Sequence, residues 1–194
     1  GDGDDRPEEI VNFINLSEQS KEKSIVGERV KRSEGLLFQL CYQLHKFLTL
    51  VFTGQSIKFG NFTCLSKSTI EKMLKEKATW NSFSGSLKKV EKNLITTPSI
   101  RGSRYFGPSH MSFLNLLKHS LSIISVFRKT VLIRSALFAV IYIMSIKNNA
   151  SIITLLPLVL LFVMIYSIFS LALRENMDEF NNSLNNINDI DKIK

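Results

Sequence analysis

The C-terminal third of the chain constrains the fold most, because it contains two long apolar segments. Residues 150–173 carry no charged side chain, and their number exceeds the roughly 20 apolar residues that a helix needs to cross a bilayer. Residues 131–146 are apolar except for Arg134, which lies near one end and can extend its guanidinium to the headgroups. The polar residues 147–149 separate the two segments. The pattern predicts a transmembrane hairpin over residues 131–173.

The charges around the hairpin predict its orientation. Basic residues flank its two ends, namely Arg128, Lys129 and Arg134 at the first span and Arg174 after the second. Lys147 is the single basic residue at the tip. Because basic residues concentrate on the cytoplasmic side of a membrane, both ends are expected in the cytosol. Residues 174–194 form a polar tail rich in Asn and Asp that we expect to be weakly ordered.

Residues 111–130 precede the hairpin and have an amphipathic pattern. One broad face of the predicted helix carries Phe113, Leu116, Leu117, Leu121, Ile124 and Phe127. The basic pair Arg128-Lys129 follows this face in the sequence. Together they predict a helix lying in the membrane interface. A helix packed into a soluble core is the alternative, since amphipathicity fits both.

The overall charge favours an anionic partner. The net charge is +8 and the isoelectric point is about 9.5, which suits an anionic lipid surface or a phosphorylated substrate. Nucleic acid is the weaker choice, because the C-terminal third is apolar and no nucleic-acid-binding motif is present. Cys41 and Cys64 lie on apolar stretches without metal-ligand spacing, so we predict free thiols in a reducing compartment.

Helical and extended patterns alternate over residues 1–110, which is typical of an α/β domain. The predicted elements are a helix at 8–20, a strand at 24–27, a helix at 34–53 stopped by Gly54, a strand at 57–65 with a tight turn at Gly60-Asn61, a helix at 68–77 capped by Ser68, a loop at 80–87 and an extended segment at 94–100. The second helix contains polar residues, so we interpret it as a core or interfacial helix rather than a spanning one.

Acidic residues cluster at the start of the chain. Asp2, Asp4 and Asp5 surround a glycine, and such a group suits a turn that holds a hard divalent cation through oxygen ligands. Pro7 and the acidic pair after it indicate the start of a helix. An acidic terminus without a ligand is the alternative, because short motifs often occur by chance.

Two basic segments follow at greater distance along the chain. Residues 28–32 contain Arg29 and Arg32 at the end of a predicted strand, where open α/β sheets place ligand sites. Residues 101–110 combine arginines, serines and glycines, a composition suited to binding phosphate. A solvated charged turn and an ordinary surface loop are the respective alternatives.

In their order, these features resemble the later half of a bacterial family-two glycosyltransferase of the polyprenol-phosphate type. Asp2-Gly3-Asp4 resembles the Asp-x-Asp signature, and Arg6-Pro7-Glu8-Glu9 resembles the stretch that follows it. The similarity continues through Val26-Gly27-Glu28-Arg29, the strand at 57–65 and the loop at 101–111. It covers residues 1–173 and implies the later half of a GT-A Rossmann-like domain (residues 1–110), an interfacial helix (111–130), the hairpin (131–173) and a cytosolic tail (174–194).

The resemblance also implies an activity and roles for particular residues. It implies inverting transfer of a sugar from a nucleotide-sugar to a lipid acceptor at the bacterial inner membrane, with polyprenyl phosphate as the favoured acceptor. The implied roles are Mg²⁺ or Mn²⁺ binding by Asp2 and Asp4, donor diphosphate binding by Arg101, Arg104, Ser109 and His110, and acceptor phosphate binding by Arg29 and Arg32.

The chain departs from the family pattern in three ways. His110 replaces the usual lysine, which would make donor binding sensitive to pH. Asp5 follows Asp4 at a shorter spacing than the family has. The nucleotide-binding first half of the family has no counterpart, so we expect that residues precede Gly1 and that this fragment alone is inactive.

Other functions remain open from the sequence. A saccharide or protein hydroxyl as acceptor would require a general base, and residues 78–90 contain no Asp or Glu. A phosphate acceptor, with a second pKa of about 6, would not require one. A non-enzymatic membrane anchor is an alternative of another class, and a homo-oligomer is compatible with each of them.

Overall fold

The computed structural model describes residues 5–20, 23–31, 36–100, 102, 105 and 112–182. These residues form a mixed α/β protein with a small three-stranded sheet and two long apolar helices. The elements in order are α1 (Glu8–Gln19), β1 (Ile25–Lys31), α2 (Leu36–Thr53), β2 (Phe59–Cys64), α3 (Lys67–Lys75), a short 3-10 helix (Lys77–Trp80), α4 (Phe83–Val90), β3 (Ile95–Ile100), α5 (Phe113–Ser125), α6 (Arg128–Ile146), α7 (Ile152–Ala172) and α8 (Met177–Asn181).

The sheet has the order β2-β1-β3, with β1 in the centre. β1 pairs antiparallel with β2 and parallel with β3. The prediction that this strand ends at Gly27 is wrong, because pairing with β3 continues to Lys31. The basic residue Arg29 therefore lies within the strand and not in a turn after it.

Helices cover both faces of the sheet. On one face, the ring of Phe13 from α1 lies 4.6 Å from the ring of Phe62. Gly27 permits this approach, since a Cβ there would lie 3.1 Å from the Phe62 ring and 3.3 Å from that of Phe13. Successive side chains of a strand point to opposite faces. Val26, the neighbour of Gly27, therefore points to the other face, where it forms a core with Met73 and Leu87.

Two local predictions between residues 57 and 77 are wrong. β2 continues through Gly60-Asn61, where a tight turn was expected, and its antiparallel pairing with β1 shifts register there, between Thr63 and Phe59. α3 begins at Lys67, and its cap lies two residues earlier than predicted, because Ser66 accepts a hydrogen bond from the Thr69 amide. The predicted cap, Ser68, lies inside the first turn.

The segment 80–87 is not a loop. It contains the end of the 3-10 helix and most of α4, which Ser82 caps by accepting a hydrogen bond from the Gly85 amide. The small residues that suggested a loop are buried, and they let α4 pack closely against its neighbours. A Cβ on Gly85 would lie 2.9 Å from a methyl group of Val126.

A second core joins the sheet domain to the long helices. Phe52, Ile124, Val131 and Ile168 form it, one from each of α2, α5, α6 and α7. Residues Ser122, Ile123, Ile124 and Ser125 of α5 are buried, so the second half of this helix is a core helix. Its first half is mostly exposed, so only that half agrees with an interfacial position.

α6 and α7 are long and apolar enough to cross a membrane. α6 begins at Arg128, earlier than the predicted segment, and α7 begins after the Ser151 cap and accommodates Pro157. Near the turn between them, the Tyr142 hydroxyl donates to the Thr154 carbonyl at 3.0 Å. The tail contains the short helix α8, where weak order was predicted, and residues 183–194 lie outside the described residues.

Candidate functional site

Glu9 holds the first turn of α1 against the end of β3. Its carboxylate accepts a hydrogen bond from the Ser99 hydroxyl at 2.6 Å and another from the Ile100 amide at 2.8 Å. One turn further along α1, the Asn12 amide donates to the Thr97 hydroxyl at 3.1 Å. The start of α1 is therefore fixed to the carboxyl end of β3.

The end of β1 lies at the same edge of the sheet. Arg29 is opposite Ser99 and Lys31 is opposite Ile100 in the parallel pairing. The carboxyl ends of parallel strands are where open α/β sheets place their ligand sites. Three charged segments thus adjoin this edge along the chain: the acidic residues before α1, the basic residues at the end of β1 and the residues after β3.

Most of the predicted site residues belong to parts of the chain adjoining this edge. Arg29 has its backbone in β1. The remaining predicted residues lie outside the described residues, so their roles stay predictions: Asp2, Asp4, Arg32, Arg101, Arg104, Ser109 and His110. Within the loop after β3 the structure describes two positions, of which Gly102 is half-buried and Tyr105 is exposed.

The described acidic side chains near the edge are engaged in contacts within the protein. Glu9 already accepts two hydrogen bonds, and Glu28 pairs with Lys58 at 3.2 Å. Glu8 pairs with Arg6 at 3.7 Å on the surface, an arrangement that contributes little to stability. Among the described residues, no group of three or more His, Cys, Asp and Glu could hold a metal ion. The cation therefore remains a prediction for Asp2 and Asp4.

Sequence reasoning missed the structural role of Glu9 and Asn12. Glu9 was assigned to the helix dipole, and Asn12 was not singled out. The signal that could have identified them is the alternation of β3, where Thr97 and Ser99 place small hydroxyls on one face of a strand. Both hydroxyls are buried, and buried polar groups require partners.

No protein-family model, no curated protein and no solved structure matches this chain. The resemblance to glycosyltransferases therefore rests on the ordered motifs in the sequence. The geometry brings the start of α1 and the carboxyl ends of β1 and β3 to a single sheet edge.

Proposed function

We propose that the chain belongs to a membrane-bound inverting glycosyltransferase that moves a sugar from a nucleotide-sugar to polyprenyl phosphate. The observation that carries the proposal is the contact of Glu9 with Ser99 and Ile100, beside the parallel pairing of Arg29 with Ser99. These contacts bring three parts of the chain to one edge of the sheet: the start of α1, which follows the acidic motif at residues 2–5; the end of β1, which contains Arg29 of the first basic motif at residues 28–32; and the end of β3, which precedes the second basic motif at residues 101–110. Such an arrangement suits a reaction between two phosphate-bearing substrates.

The proposed roles follow from the charge that develops during transfer. The departing nucleoside diphosphate gains negative charge, and Arg101, Arg104, Ser109 and His110 would donate hydrogen bonds to it. When bound by Asp2 and Asp4, Mg²⁺ or Mn²⁺ would supply further positive charge to that group. The basic residues of the first motif, Arg29 and Arg32, would hold the acceptor phosphate. A phosphate oxygen is already largely ionised near neutral pH, so this reaction needs no separate general base.

The two long helices support a membrane location for this chemistry. Arg128 at the start of α6 donates to the Glu175 carboxylate, just beyond α7, at 2.8 Å. This ion pair places both ends of the hairpin at one level, where Lys129 and Arg174 also lie along the chain. Under the positive-inside rule that level is the cytosolic surface of the bacterial inner membrane.

Transfer to a lipid phosphate is the direct test. The natural gene product, expressed in membranes, is incubated with undecaprenyl phosphate, Mg²⁺ or Mn²⁺ and each of a panel of radiolabelled nucleotide-sugars. We expect labelled lipid with the wild type and none with Asp4→Asn, and at least a tenfold lower rate with Arg29→Ala. Lys72→Ala is the matched control, because Lys72 is exposed on α3, remote in sequence from all three motifs, and its removal should leave the rate unchanged.

Three results would contradict this assignment in different ways. Label on a saccharide or a protein would replace the lipid phosphate with a hydroxyl acceptor. Full activity of Asp4→Asn would remove the acidic motif from the reaction. Absence of both transfer and nucleotide binding would favour the non-enzymatic anchor.

A further inference from the structure

α2 exposes an uncharged and largely apolar stripe. Its exposed residues between 39 and 50 are Gln39, Leu40, Gln43, Leu44, Phe47 and Leu50. The four apolar members are between 52% and 68% exposed. A helix that faces water normally carries charged residues on its outer side, and a contiguous apolar patch of this kind marks a surface that contacts something other than water.

The C-terminal end of α2 is fastened to α6. The Arg134 guanidinium donates to the Val51 carbonyl at 2.9 Å and lies 3.5 Å from that of Leu50. Gly54 ends α2 with φ of +71°, and a Cβ there would lie 2.8 Å from Arg134 Nη2. One turn further along α6, Phe138 packs edge-on against Phe52 with ring centroids 6.1 Å apart.

This attachment fixes the depth of α2 relative to α6. Arg134 follows Arg128 by six residues, which is about 9 Å along a helix axis. α6 contains 19 residues and is about 28 Å long, close to the roughly 30 Å hydrocarbon thickness of a bilayer. If α6 spans the membrane, its whole length is needed to cross the hydrocarbon region, and Arg134 therefore lies within the cytosolic leaflet. A guanidinium at that depth requires hydrogen-bond acceptors, and the terminal carbonyls of α2 provide them.

We propose that α2 is embedded in the cytosolic leaflet, with the stripe against lipid acyl chains. The inference rests on the membrane-spanning part of the proposed function and not on sugar transfer. The lipid bilayer is the occupant that the structure favours, because α2 is joined to α6 at the depth just derived and the neighbouring surface of α6 is equally apolar and exposed. Four residues separate the end of β1, the strand that contains Arg29, from the start of α2, so this arrangement holds the proposed acceptor site beside the membrane.

Lipid contact of single labelled positions tests the proposal. Cys41 and Cys64 are replaced by Ala, and one cysteine at a time is introduced at residue 44, 74 or 141 and labelled with an environment-sensitive nitrobenzoxadiazole fluorophore. The native side chains are matched leucine or isoleucine residues, exposed by 56% for Leu44, 55% for Leu74 and 57% for Ile141. The full chain is reconstituted into phosphatidylcholine vesicles with and without lipid brominated on its acyl chains.

We expect the brominated lipid to quench the label at 44 and at 141 by at least half, and the label at 74 on α3 by little. If 141 is quenched while 44 behaves like 74, the hairpin spans but α2 lies outside the bilayer, and the inference is overturned. If neither 44 nor 141 is quenched, the membrane-spanning proposal falls together with it. A sugar-transfer assay on the same vesicles reports the enzymatic proposal separately.

Discussion

Glu9 is the residue on which the candidate site depends most directly among those the structure describes. It links the first turn of α1 to β3 through both carboxylate oxygens, with a hydroxyl and a backbone amide as donors. Hydrogen bonds to a charged group contribute more than neutral ones. Glu8, its neighbour, has a mostly exposed carboxylate that pairs with Arg6 at 3.7 Å. Two adjacent identical residues therefore have very different roles.

Replacing Glu9 with alanine should lower the free energy of unfolding by about 2 kcal/mol, because it removes two charge-assisted hydrogen bonds. Urea unfolding in mild detergent, followed by circular dichroism, measures the effect. Glu8→Ala is the matched control and should change the value by less than about 0.5 kcal/mol, since it removes only a surface ion pair. Equal effects of the two substitutions would contradict the role of Glu9.

At the scale of elements, local patterns predicted helices well where the apolar side is continuous. The limits of α2 and the helical nature of α6 and α7 agree with the sequence, because long periodic or uniformly apolar runs carry a strong signal. α4 was missed because its serines and Gly85 have weak helix propensity, and only its packing against Val126 makes small residues favourable. In α2, burial does not follow apolar character, since Leu40, Leu44 and Phe47 are exposed and Thr49 is buried.

Asn81 connects the element before α4 to the long helices. Its buried side-chain amide donates to the Ser125 hydroxyl and to the Leu171 carbonyl at 3.2 Å. Asn81→Ala should lower the free energy of unfolding by about 2 kcal/mol, because it removes two buried hydrogen bonds of about 1 kcal/mol each. Thermal unfolding in detergent should show a lower midpoint for Asn81→Ala than for Asn93→Ala, which truncates an exposed asparagine. A variant indistinguishable from the Asn93 control would show that this link is dispensable.

For the whole molecule, the order of the charged segments could be predicted from the sequence, but the meeting of the start of α1 with the ends of β1 and β3 at one sheet edge could not. That meeting depends on parallel pairing between Ile25 and Ile95 and on contacts across 90 residues such as Glu9 with Ser99. Pairing at such separations is not encoded in any local window of sequence. The order of the segments can be read along the sequence, whereas the proximity of the elements beside them depends on tertiary contacts.

The orientation of the hairpin can be measured in intact cells. In a background without Cys41 and Cys64, a cysteine replacing Asn148 at the turn between α6 and α7 should react with a membrane-impermeant maleimide added outside. A cysteine replacing Lys75, exposed at the end of α3, should react only after the cells are broken. This outcome follows from the basic residues at the two ends of the hairpin. The reverse labelling pattern would invert the proposed topology.

The two fastenings of the hairpin restrict how it can move. The Tyr142 hydroxyl bonds to α7 near the tip, and Arg128 bonds to Glu175 at the base. Because hydrogen bonds join the helices at both ends, one helix cannot slide along the axis of the other without breaking a hydrogen bond. A shift at the sheet that was transmitted to α6 and α7 would therefore tilt both helices as one rigid unit. The turn at Asn148, which lies farthest from the sheet, would then move most.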